Sequence, residues 1–280
     1  MRDKVVVITG ATSGIGDVAA DHLAQAGARI VFVARDHGRG EKTRRHLESV
    51  AVHAKHTVFY GDLSKLADMK RVAQEIAQTE PHIDVLINNA GAMFSSRQVT
   101  EDGLEKTFAL NHMSYFVITN MLLDRLKATP GARIVSTASD AHNGARLNFD
   151  DLQSERGYSG FPVYGRSKLM NILFTRDLAR RIAGTGITAN CLHPGFVNTR
   201  FGDEAGGLSA LAIRGAKKFA LSPEEGAQTI IYLASSPELE GKTGGYYVKC
   251  RPATPSAAAQ NDTDARRLWD VSSKISGVGF

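Results

Sequence analysis

The sequence is poor in cysteine, and it lacks any long run of apolar residues. Only two cysteines, Cys191 and Cys250, occur in the 280-residue chain, which excludes a disulfide scaffold and a cysteine-based zinc or iron–sulfur site. The longest apolar runs, such as residues 5–8, fall far short of the roughly 20 residues that span a bilayer. No signal peptide precedes that run. The sequence therefore predicts no transmembrane segment and, by default, a cytoplasmic location.

The sequence also lacks a segment in which charges of one sign are concentrated. Lys and Arg number 34 against 29 Asp and Glu, a formal net charge of +5. The basic pairs are scattered and most have acids nearby: Arg44-Arg45, Arg180-Arg181, Lys217-Lys218 and Arg266-Arg267. A nucleic-acid binder more often concentrates basic charge on one element, with aromatic residues interleaved. We therefore expect solvated charged faces and no nucleic-acid partner.

Short β-branched runs alternate with helix-length segments along the chain. The predicted strands are residues 5–8, 29–34, 56–60, 85–88, 133–137, 188–192 and 246–248. Several are apolar at consecutive positions, as strands are when helices cover both faces of a sheet. The helix-length segments include residues 14–26, 64–78, 104–127, 163–183 and 223–235. This order predicts an α/β fold: a single-domain, Rossmann-type, doubly wound parallel sheet of about seven strands flanked by helices.

A glycine-rich turn joins the first predicted strand to the first predicted helix. It contains Gly10, Gly14 and Gly16. Gly10 permits the sharp turn, Gly14 lets the backbone approach a pyrophosphate, and Gly16 lets the helix pack on the sheet. The helix N-terminus offers free N–H groups and a positive dipole end to the phosphates. The strand before and the helix after favour nucleotide binding over a loop that binds nothing.

The residues after the second predicted strand bear on which nucleotide binds. Arg35 comes first, where a guanidinium could hold a 2′-phosphate and stack on adenine, which favours NADP. Asp36 follows it and keeps NAD open, because an acidic residue about 20 residues beyond the glycines binds the ribose 2′-hydroxyl in NAD-binding folds. Asp17 would repel a 2′-phosphate, although an acid in the first helical turn also favours the helix dipole. Arg35 as an ordinary surface residue is the remaining alternative.

A tyrosine and a lysine four residues apart suggest acid–base chemistry. Tyr164 and Lys168 open a predicted helix and would lie on one face of it, one turn apart. A free phenol, with a pKa of about 10, is a poor catalyst at neutral pH, and a nearby ammonium lowers that pKa by favouring the phenolate. The spacing alone is a weak signal. A dinucleotide fold and Ser139 at the end of an earlier predicted strand strengthen it.

With these motifs the chain resembles the short-chain dehydrogenase/reductases over essentially its whole length. The matching pieces are residues 9–16, Asp62-Leu63, Asn88-Asn89-Ala90-Gly91, Asn111, Ser139, Tyr164 with Lys168, and Pro194-Gly195 with Thr199. Within that family the chain is most similar to the retinol dehydrogenase-like branch. The phrases that carry this closer resemblance are residues 148–152, 167–175 and 193–199.

The resemblance implies a role for each matching residue. Tyr164 would exchange a proton with the substrate oxygen, Lys168 would lower the pKa of Tyr164 and hold the nicotinamide ribose, and Ser139 would donate a hydrogen bond to the carbonyl. Asn111 would hold a water that links Lys168 to solvent. The cofactor would be NADP or, as the alternative, NAD, bound by Gly10, Ser13, Gly14, Ile15, Gly16, Arg35, Asp62, Leu63, Asn89, Ala90, Gly91, Tyr164, Lys168, Pro194, Gly195, Val197 and Thr199.

Two segments are expected to border the substrate. Residues 143–160 form a polar, glycine-containing segment between Ser139 and Tyr164. Residues 201–219 set large apolar side chains among glycines, which suggests a mobile flap, with a pair of packing helices as the alternative. The apolar content favours a lipophilic carbonyl or alcohol over a sugar or a charged acid.

The histidines near the motifs are given no catalytic role. His142 and His193 lie beside motif residues, and each is taken as a packing or loop histidine. These two histidines form no pair with metal-ligand spacing with a carboxylate, and no metal site is predicted. Cys191 is taken as inert core.

The sequence thus predicts one domain over residues 1–280 that acts as an NADP-dependent oxidoreductase with Tyr164 as general acid/base. Its parts would be a cofactor half at about 1–130, a catalytic and substrate half at about 131–250, and a C-terminal tail at 251–280, with a helix around 265–274. A catalytically idle nucleotide-binding regulatory or scaffold protein is the alternative, and an epimerase the third. The helices around 104–127 and 163–183 could pair in a homodimer or homotetramer.

Overall fold

The sheet follows the predicted winding. The computed structural model describes residues 1–197 and 221–280, so the predictions for Thr199 and for the flap at 201–219 lie outside the described residues. The strands are β1 (Val5–Thr9), β2 (Arg29–Ala34), β3 (Thr57–Tyr60), β4 (Val85–Asn88), β5 (Arg133–Thr137), β6 (Thr188–His193), β7 (Tyr246–Val248) and β8 (Arg251–Ala253). They form one sheet in the order β3-β2-β1-β4-β5-β6-β7-β8. All neighbours are parallel except β7 and β8.

Helices connect the strands and cover both faces of the sheet. They are α1 (Gly14–Gln25), α2 (His37–Val50), α3 (Leu66–Thr79), α4 (Lys106–Phe108), α5 (Ser114–Lys127), α6 (Gly160–Arg181), α7 (Pro223–Ser235) and α8 (Asp262–Ser276). A π-helical turn, Ala109–Met113, joins α4 to α5, so the long helix predicted over 104–127 is interrupted. The helices in the described ranges include none that is long and apolar enough to cross a membrane.

Strand β1 explains why consecutive apolar residues mark a buried parallel strand. Val5 and Val7 pack in the core formed with α3, α5, α6 and α8. Val6 and Ile8 pack in the opposite core, formed with α1, α2 and α7. Each fully buried aliphatic side chain contributes roughly 1.5–3 kcal/mol. Because helices cover both faces of the sheet, apolar and polar residues do not alternate along the strand.

The sheet has one strand more than predicted. Strand β8 pairs antiparallel with β7 through a two-residue turn, Lys249 and Cys250, with φ of 49° and 61°. Turns of this kind require positive φ at both positions and usually carry Asn or Gly. Because Lys249 and Cys250 are neither Asn nor Gly, this hairpin could not be predicted from the sequence. The predicted C-terminal tail at 251–280 therefore begins in a strand.

The predicted C-terminal helix is present but longer, Asp262–Ser276 instead of 265–274, and it docks on the body. Trp269 of α8 is 3% exposed and stacks on Phe174 of α6, with ring centroids 5.9 Å apart. It also meets the edge of Phe116 of α5 at 4.9 Å. The end of the chain is thereby built into the same core as the central helices.

Candidate active site

A cleft of about 880 Å³ lies at the carboxyl ends of the strands. Strands β1 and β4 are neighbours in the sheet. From β1 the chain adds β2 and β3 on one side, and then it crosses to β4 and adds the later strands on the other side. The ends of β1 and β4 part into a crevice, which is where open α/β sheets bind ligands. Segments that follow β1, β2, β4, β5 and β6 line the cleft.

Most of the predicted site residues meet at this cleft. Those that line it are Gly10, Ser13, Gly14, Ile15, Arg35, Asp62, Leu63, Asn89, Ala90, Gly91, Ser139, Tyr164, Lys168, Pro194, Gly195 and Val197. Gly16 and Asn111 are buried. Further lining residues that the sequence did not single out are Thr12, Arg39, Met93, Phe94, Leu110 and Phe161. Arg39 follows Arg35 by four positions, and this second cation close to Arg35 is the signal in the sequence that points to it. The apolar residues follow no local pattern.

The glycine-rich turn forms a cradle of backbone. Gly10 has a φ of +72°, and a Cβ on it would lie 2.9 Å from the Cα of Ala90. A Cβ on Gly16 would overlap the Gly10 carbonyl oxygen and the Asn89 side-chain amide. The Thr9 hydroxyl accepts hydrogen bonds from the backbone N–H groups of Asn89 (2.9 Å) and Ala90 (3.0 Å). These contacts hold the two turns together at a distance that only glycine allows.

The start of α1 keeps donors available to a ligand. Ser13 is the N-cap residue, and its side chain makes no cap hydrogen bond within the described chain. The first N–H groups of a helix have no partner inside the helix. Since Ser13 and Gly14 line the cleft, those N–H groups lie beside it with the positive end of the helix dipole. The cradle thus fits the pyrophosphate of a dinucleotide.

Cationic side chains mark the end of the cleft next to β2. Arg35 and Arg39 both line it. The Asp36 carboxylate instead caps α2, where its Oδ1 accepts a hydrogen bond from the backbone N–H of Arg39 at 2.8 Å. Asp36 Oδ1 also lies 3.7 Å from the Arg39 guanidinium. One oxygen of the Asp36 carboxylate is therefore engaged at the start of α2.

Two other acids near this end have distinct environments. Asp62 Oδ1 accepts hydrogen bonds from the backbone N–H and the hydroxyl of Ser64, at 3.0 and 2.8 Å, which fixes the turn after β3. Burial raises the pKa of Asp17, while the nearby charges of His46 and Lys42 on α2 oppose that increase. The charges near Asp17 thus favour its carboxylate form, while burial disfavours it.

The predicted catalytic residues converge from two elements. Ser139 follows β5, and Tyr164 and Lys168 lie on α6. The Ser139 side chain is hydrogen-bonded to the Tyr164 hydroxyl, and its Oγ accepts a hydrogen bond from the backbone N–H of Ala141 at 3.2 Å. Lys168 Nζ donates to the Thr137 carbonyl at 3.0 Å and lies 5.5 Å from the Tyr164 ring centroid. Tyrosine, serine and lysine therefore share one corner of the cleft.

Burial dominates the ionisation of this corner. It raises the pKa of Tyr164 to about 12, an effect that the hydrogen bond with Ser139 opposes. It lowers the pKa of Lys168 to about 7. The causes of the Tyr164 shift are burial and the Ser139 hydrogen bond, so the effect of Lys168 on that pKa stays a prediction.

Asn111 lies in the π-helical turn and braces the wall of the cleft. Its Nδ2 donates to the Ala92 carbonyl and to Ser167 Oγ, both at 2.9 Å. Its Oδ1 accepts from the Ala92 N–H at 2.9 Å. A Cβ on Gly91 would lie 3.2 Å from that oxygen and 3.5 Å from Lys168 Nζ. The side chain thus fixes the segment after β4 against α6, and its role in holding a water stays a prediction.

The far end of the cleft is apolar. Met93, Phe94, Leu110, Phe161 and Phe196 line it. Phe161 is 64% and Phe196 52% exposed, so both present aromatic surface at the mouth. A wall of this composition suits an apolar ligand.

The segment 143–160 is hydrogen-bonded to the residues that carry this apolar wall. The Tyr158 hydroxyl donates to the Phe94 carbonyl at 3.1 Å. Arg97 Nε donates to the Gln153 carbonyl at 3.1 Å, and Gln153 Oε1 accepts from the Glu105 N–H at 2.7 Å. The segment expected to border the site thus holds the loop that follows β4.

Comparison with known proteins agrees with this site. The family model for short chain dehydrogenase matches residues 4–206, and the chain belongs to the short-chain dehydrogenase/reductase family. Within the family it lies in the retinol dehydrogenase-like branch. It is 42% identical to human retinol dehydrogenase 14, over 99% of this chain and 88% of that one. It is 38% identical to human retinol dehydrogenase 11, over 98% and 86%. It is therefore an NAD(P)-dependent oxidoreductase that acts on CH–OH or C=O groups.

Solved structures show the same fold. An uncharacterised protein from Mycobacterium paratuberculosis has a TM-score of 0.81 and 32% identity, over 100% of this chain and 95% of that one. Pseudomonas aeruginosa RhlG, solved as an active-site complex with NADP, has a TM-score of 0.70 and 28% identity, over 88% and 94%.

Proposed function

We propose that this protein is an NADP-dependent oxidoreductase that transfers hydride between the nicotinamide cofactor and a lipophilic carbonyl or alcohol, with Tyr164 as general acid/base. The observation that carries the proposal is the meeting of Tyr164, Ser139 and Lys168 at a cleft with a glycine cradle at one end and an apolar wall at the other. The relatives named above are retinol dehydrogenases, which supports a lipophilic alcohol or aldehyde as substrate.

The choice of NADP over NAD rests on the end of the cleft next to β2. Arg35 and Arg39 both line it, and two guanidinium groups suit a 2′-phosphate. One carboxylate oxygen of Asp36 caps α2, which leaves it less able to select the unphosphorylated ribose. The NADP complex of RhlG is consistent with this choice.

The nicotinamide cofactor supplies or accepts the hydride, and this chain supplies position and a proton. Since burial keeps the pKa of Tyr164 at about 12, its hydroxyl carries a proton at neutral pH and can donate it to a carbonyl oxygen during reduction. Ser139, hydrogen-bonded to that hydroxyl, orients the same oxygen. The ammonium of Lys168 offsets the cost of the phenolate that Tyr164 then becomes.

The cofactor and proton-path residues retain the roles expected of them within this proposal. Gly10, Ser13, Gly14 and Ile15 would hold the pyrophosphate, with Gly16 keeping α1 close to the turn. The other predicted residues that line the cleft would contact the nucleosides. Asn111 holds the π-helical turn next to Lys168, where a water would pass protons to solvent. A π turn at such a place is common at functional sites.

The test is an assay of NADPH oxidation with straight-chain aldehydes of increasing length, with a sugar aldehyde of similar reactivity as the polar comparison. We expect turnover with NADPH that increases with chain length and is weak with NADH. Turnover that prefers the sugar would contradict the lipophilic substrate. Tight NADPH binding without turnover on any carbonyl would instead favour a catalytically idle nucleotide-binding protein.

Location and assembly complete the proposal. Cys191 and Cys250 are free thiols, which suits the reducing cytoplasm. Pairing of two or four copies through α5 and α6 would have to use the parts of those helices that α8 leaves uncovered. Cell fractionation tests the location, and sedimentation equilibrium tests the assembly.

A further inference from the structure

The short turn that carries Ser139 is held by residues from outside the catalytic corner. A three-residue 3₁₀ helix, Asp140–His142, follows the serine. The backbone N–H of Asp140 donates to His193 Nδ1 at 3.2 Å, and Asp140 Oδ1 accepts from the Tyr246 hydroxyl at 3.0 Å. Strands β6 and β7 thus hold the first residue of the turn.

His142 holds the other end of the turn and links it to the C-terminal segment. It is 1% exposed. Its Nε2 faces the backbone N–H of Ser256 at 3.1 Å, and since an N–H can only donate, Nε2 accepts. The ring proton therefore sits on Nδ1, which donates to the Ser139 carbonyl at 2.7 Å. Both nitrogens of a neutral imidazole are used.

We propose that His142 and Tyr246 are positioning residues that fix the Ser139 hydroxyl for the reaction, and that the C-terminal segment through Ser256 is part of this support. The inference rests on the proposed role of Ser139. It assigns a function to a histidine whose sequence context suggested simple packing, and to a residue on the last parallel strand.

A turn of this length depends on such support. Short 3₁₀ helices have poor hydrogen-bond geometry and little stability of their own. Ser139 Oγ accepts from the Ala141 N–H inside the turn and bonds to Tyr164, so a displacement of the turn moves the hydroxyl relative to the phenol. A misplacement of ~1 Å at a reacting group can cost roughly 100-fold in rate.

Tyr246 offers the cleaner of two variants. Tyr246→Phe removes the hydroxyl that binds Asp140 but keeps the ring, which packs on His142 with centroids 5.3 Å apart. We expect kcat to fall about tenfold, with KM for the aldehyde and the affinity for NADPH changed less than twofold, because positioning and not binding is lost. Tyr247→Phe, one residue away on the opposite face of the sheet, is the matched control and should leave kcat unchanged.

The His142 series separates the two bonds of the imidazole. His142→Phe removes both and should lower kcat more than tenfold. His142→Asn places an amide donor near the position of Nδ1, whereas His142→Gln places an acceptor near that of Nε2. We expect Asn to recover more of the rate than Gln, because the bond to the Ser139 carbonyl is the one that bears on the hydroxyl.

Hydrogen exchange gives a readout that needs no substrate. The amides of residues 139–142 should exchange faster in Tyr246→Phe and His142→Phe than in the unmodified protein or in Tyr247→Phe. Unchanged exchange there, or an unchanged kcat in folded variants, would overturn the proposal. Equal recovery by Asn and Gln would overturn the assignment to the Ser139 bond. Failure of the proposed function would be seen separately, as full turnover in Ser139→Ala or as no turnover in the unmodified protein. In either case the hydrogen-exchange rates of residues 139–142 still show whether Tyr246 and His142 hold the turn.

Discussion

The two ends of the cleft differ in the groups that form them, which are backbone at one end and side chains at the other. The end near β1 is made of backbone: glycines, helix N–H groups and a turn that hydrogen bonds from Thr9 fix at 2.9 and 3.0 Å. The reacting end is made of side chains brought together from β5, α6 and the loop after β4. The first can hold any dinucleotide phosphate, whereas the second sets which bond reacts. Changes at one end should therefore alter binding, and changes at the other should alter the rate.

The largest effect is expected from removing the phenolic hydroxyl. Tyr164→Phe retains the ring but removes the proton donor, and the loss of one general acid costs roughly 10²–10⁴-fold in kcat. NADPH affinity, measured by fluorescence titration, should be retained. Turnover close to that of the unmodified protein would place the catalytic acid elsewhere.

The pH dependence of reduction should follow Lys168. Its pKa of about 7 means that the side chain is charged below pH 7 and neutral above it. The ammonium supports the phenolate, so kcat for reduction should fall with rising pH above about 7, by up to tenfold per pH unit. NADPH binding at the glycine cradle should change little over the same range.

A variant sharpens that profile. Lys168→Arg keeps its charge at all these pH values, so the decrease should move to higher pH even if the maximal rate is lower. A decrease at the same pH in both proteins would assign the titration to another group.

Cofactor choice should depend on Arg35 and Arg39, the two arginines that line the cleft next to β2. Arg35→Ala and Arg39→Ala should each weaken NADPH binding about tenfold, close to 1.4 kcal/mol, because each removes a cation from the position proposed for the 2′-phosphate. NADH affinity should change little. Fluorescence titration of both cofactors is the measurement, and an unchanged NADPH/NADH ratio in both variants would contradict the preference for NADP.

The smallest effect concerns the apolar wall. Each methylene added to an aldehyde should increase kcat/KM by at most about fourfold, or 0.8 kcal/mol. Phe161→Ala should flatten this series and leave the shortest aldehyde nearly unaffected. Val99→Ala, an exposed apolar residue (51%) outside the cleft lining of the described chain, is the control. A series that stays steep in Phe161→Ala would remove Phe161 from the substrate wall.

Sequence reasoning succeeded where the chemistry is local. The glycine turn, the Tyr164–Lys168 spacing and the apolar strands are patterns within one turn or one strand, so each could be assigned before the fold was known. The whole parallel part of the sheet was confirmed for the same reason.

What escaped prediction depends on tertiary contacts. Strand β8 lacks a turn signal because Lys249 and Cys250 adopt positive φ without Asn or Gly. The apolar wall joins Met93, Leu110 and Phe161 from three separate segments. The raised pKa of Tyr164 depends on its burial, which no spacing rule contains.

One paired measurement tests the division between the two ends most directly. Gly16→Ala places a Cβ against the Gly10 carbonyl, and such overpacking costs roughly 1–3 kcal/mol. NADPH affinity and kcat with one straight-chain aldehyde are measured for Gly16→Ala and Tyr164→Phe, with Gly38→Ala, whose nearest neighbour would be 3.5 Å away, as the control. We predict weakened NADPH binding with kcat largely retained at saturating NADPH in Gly16→Ala, and the reverse in Tyr164→Phe. Parallel losses of affinity and rate in both variants would contradict the account.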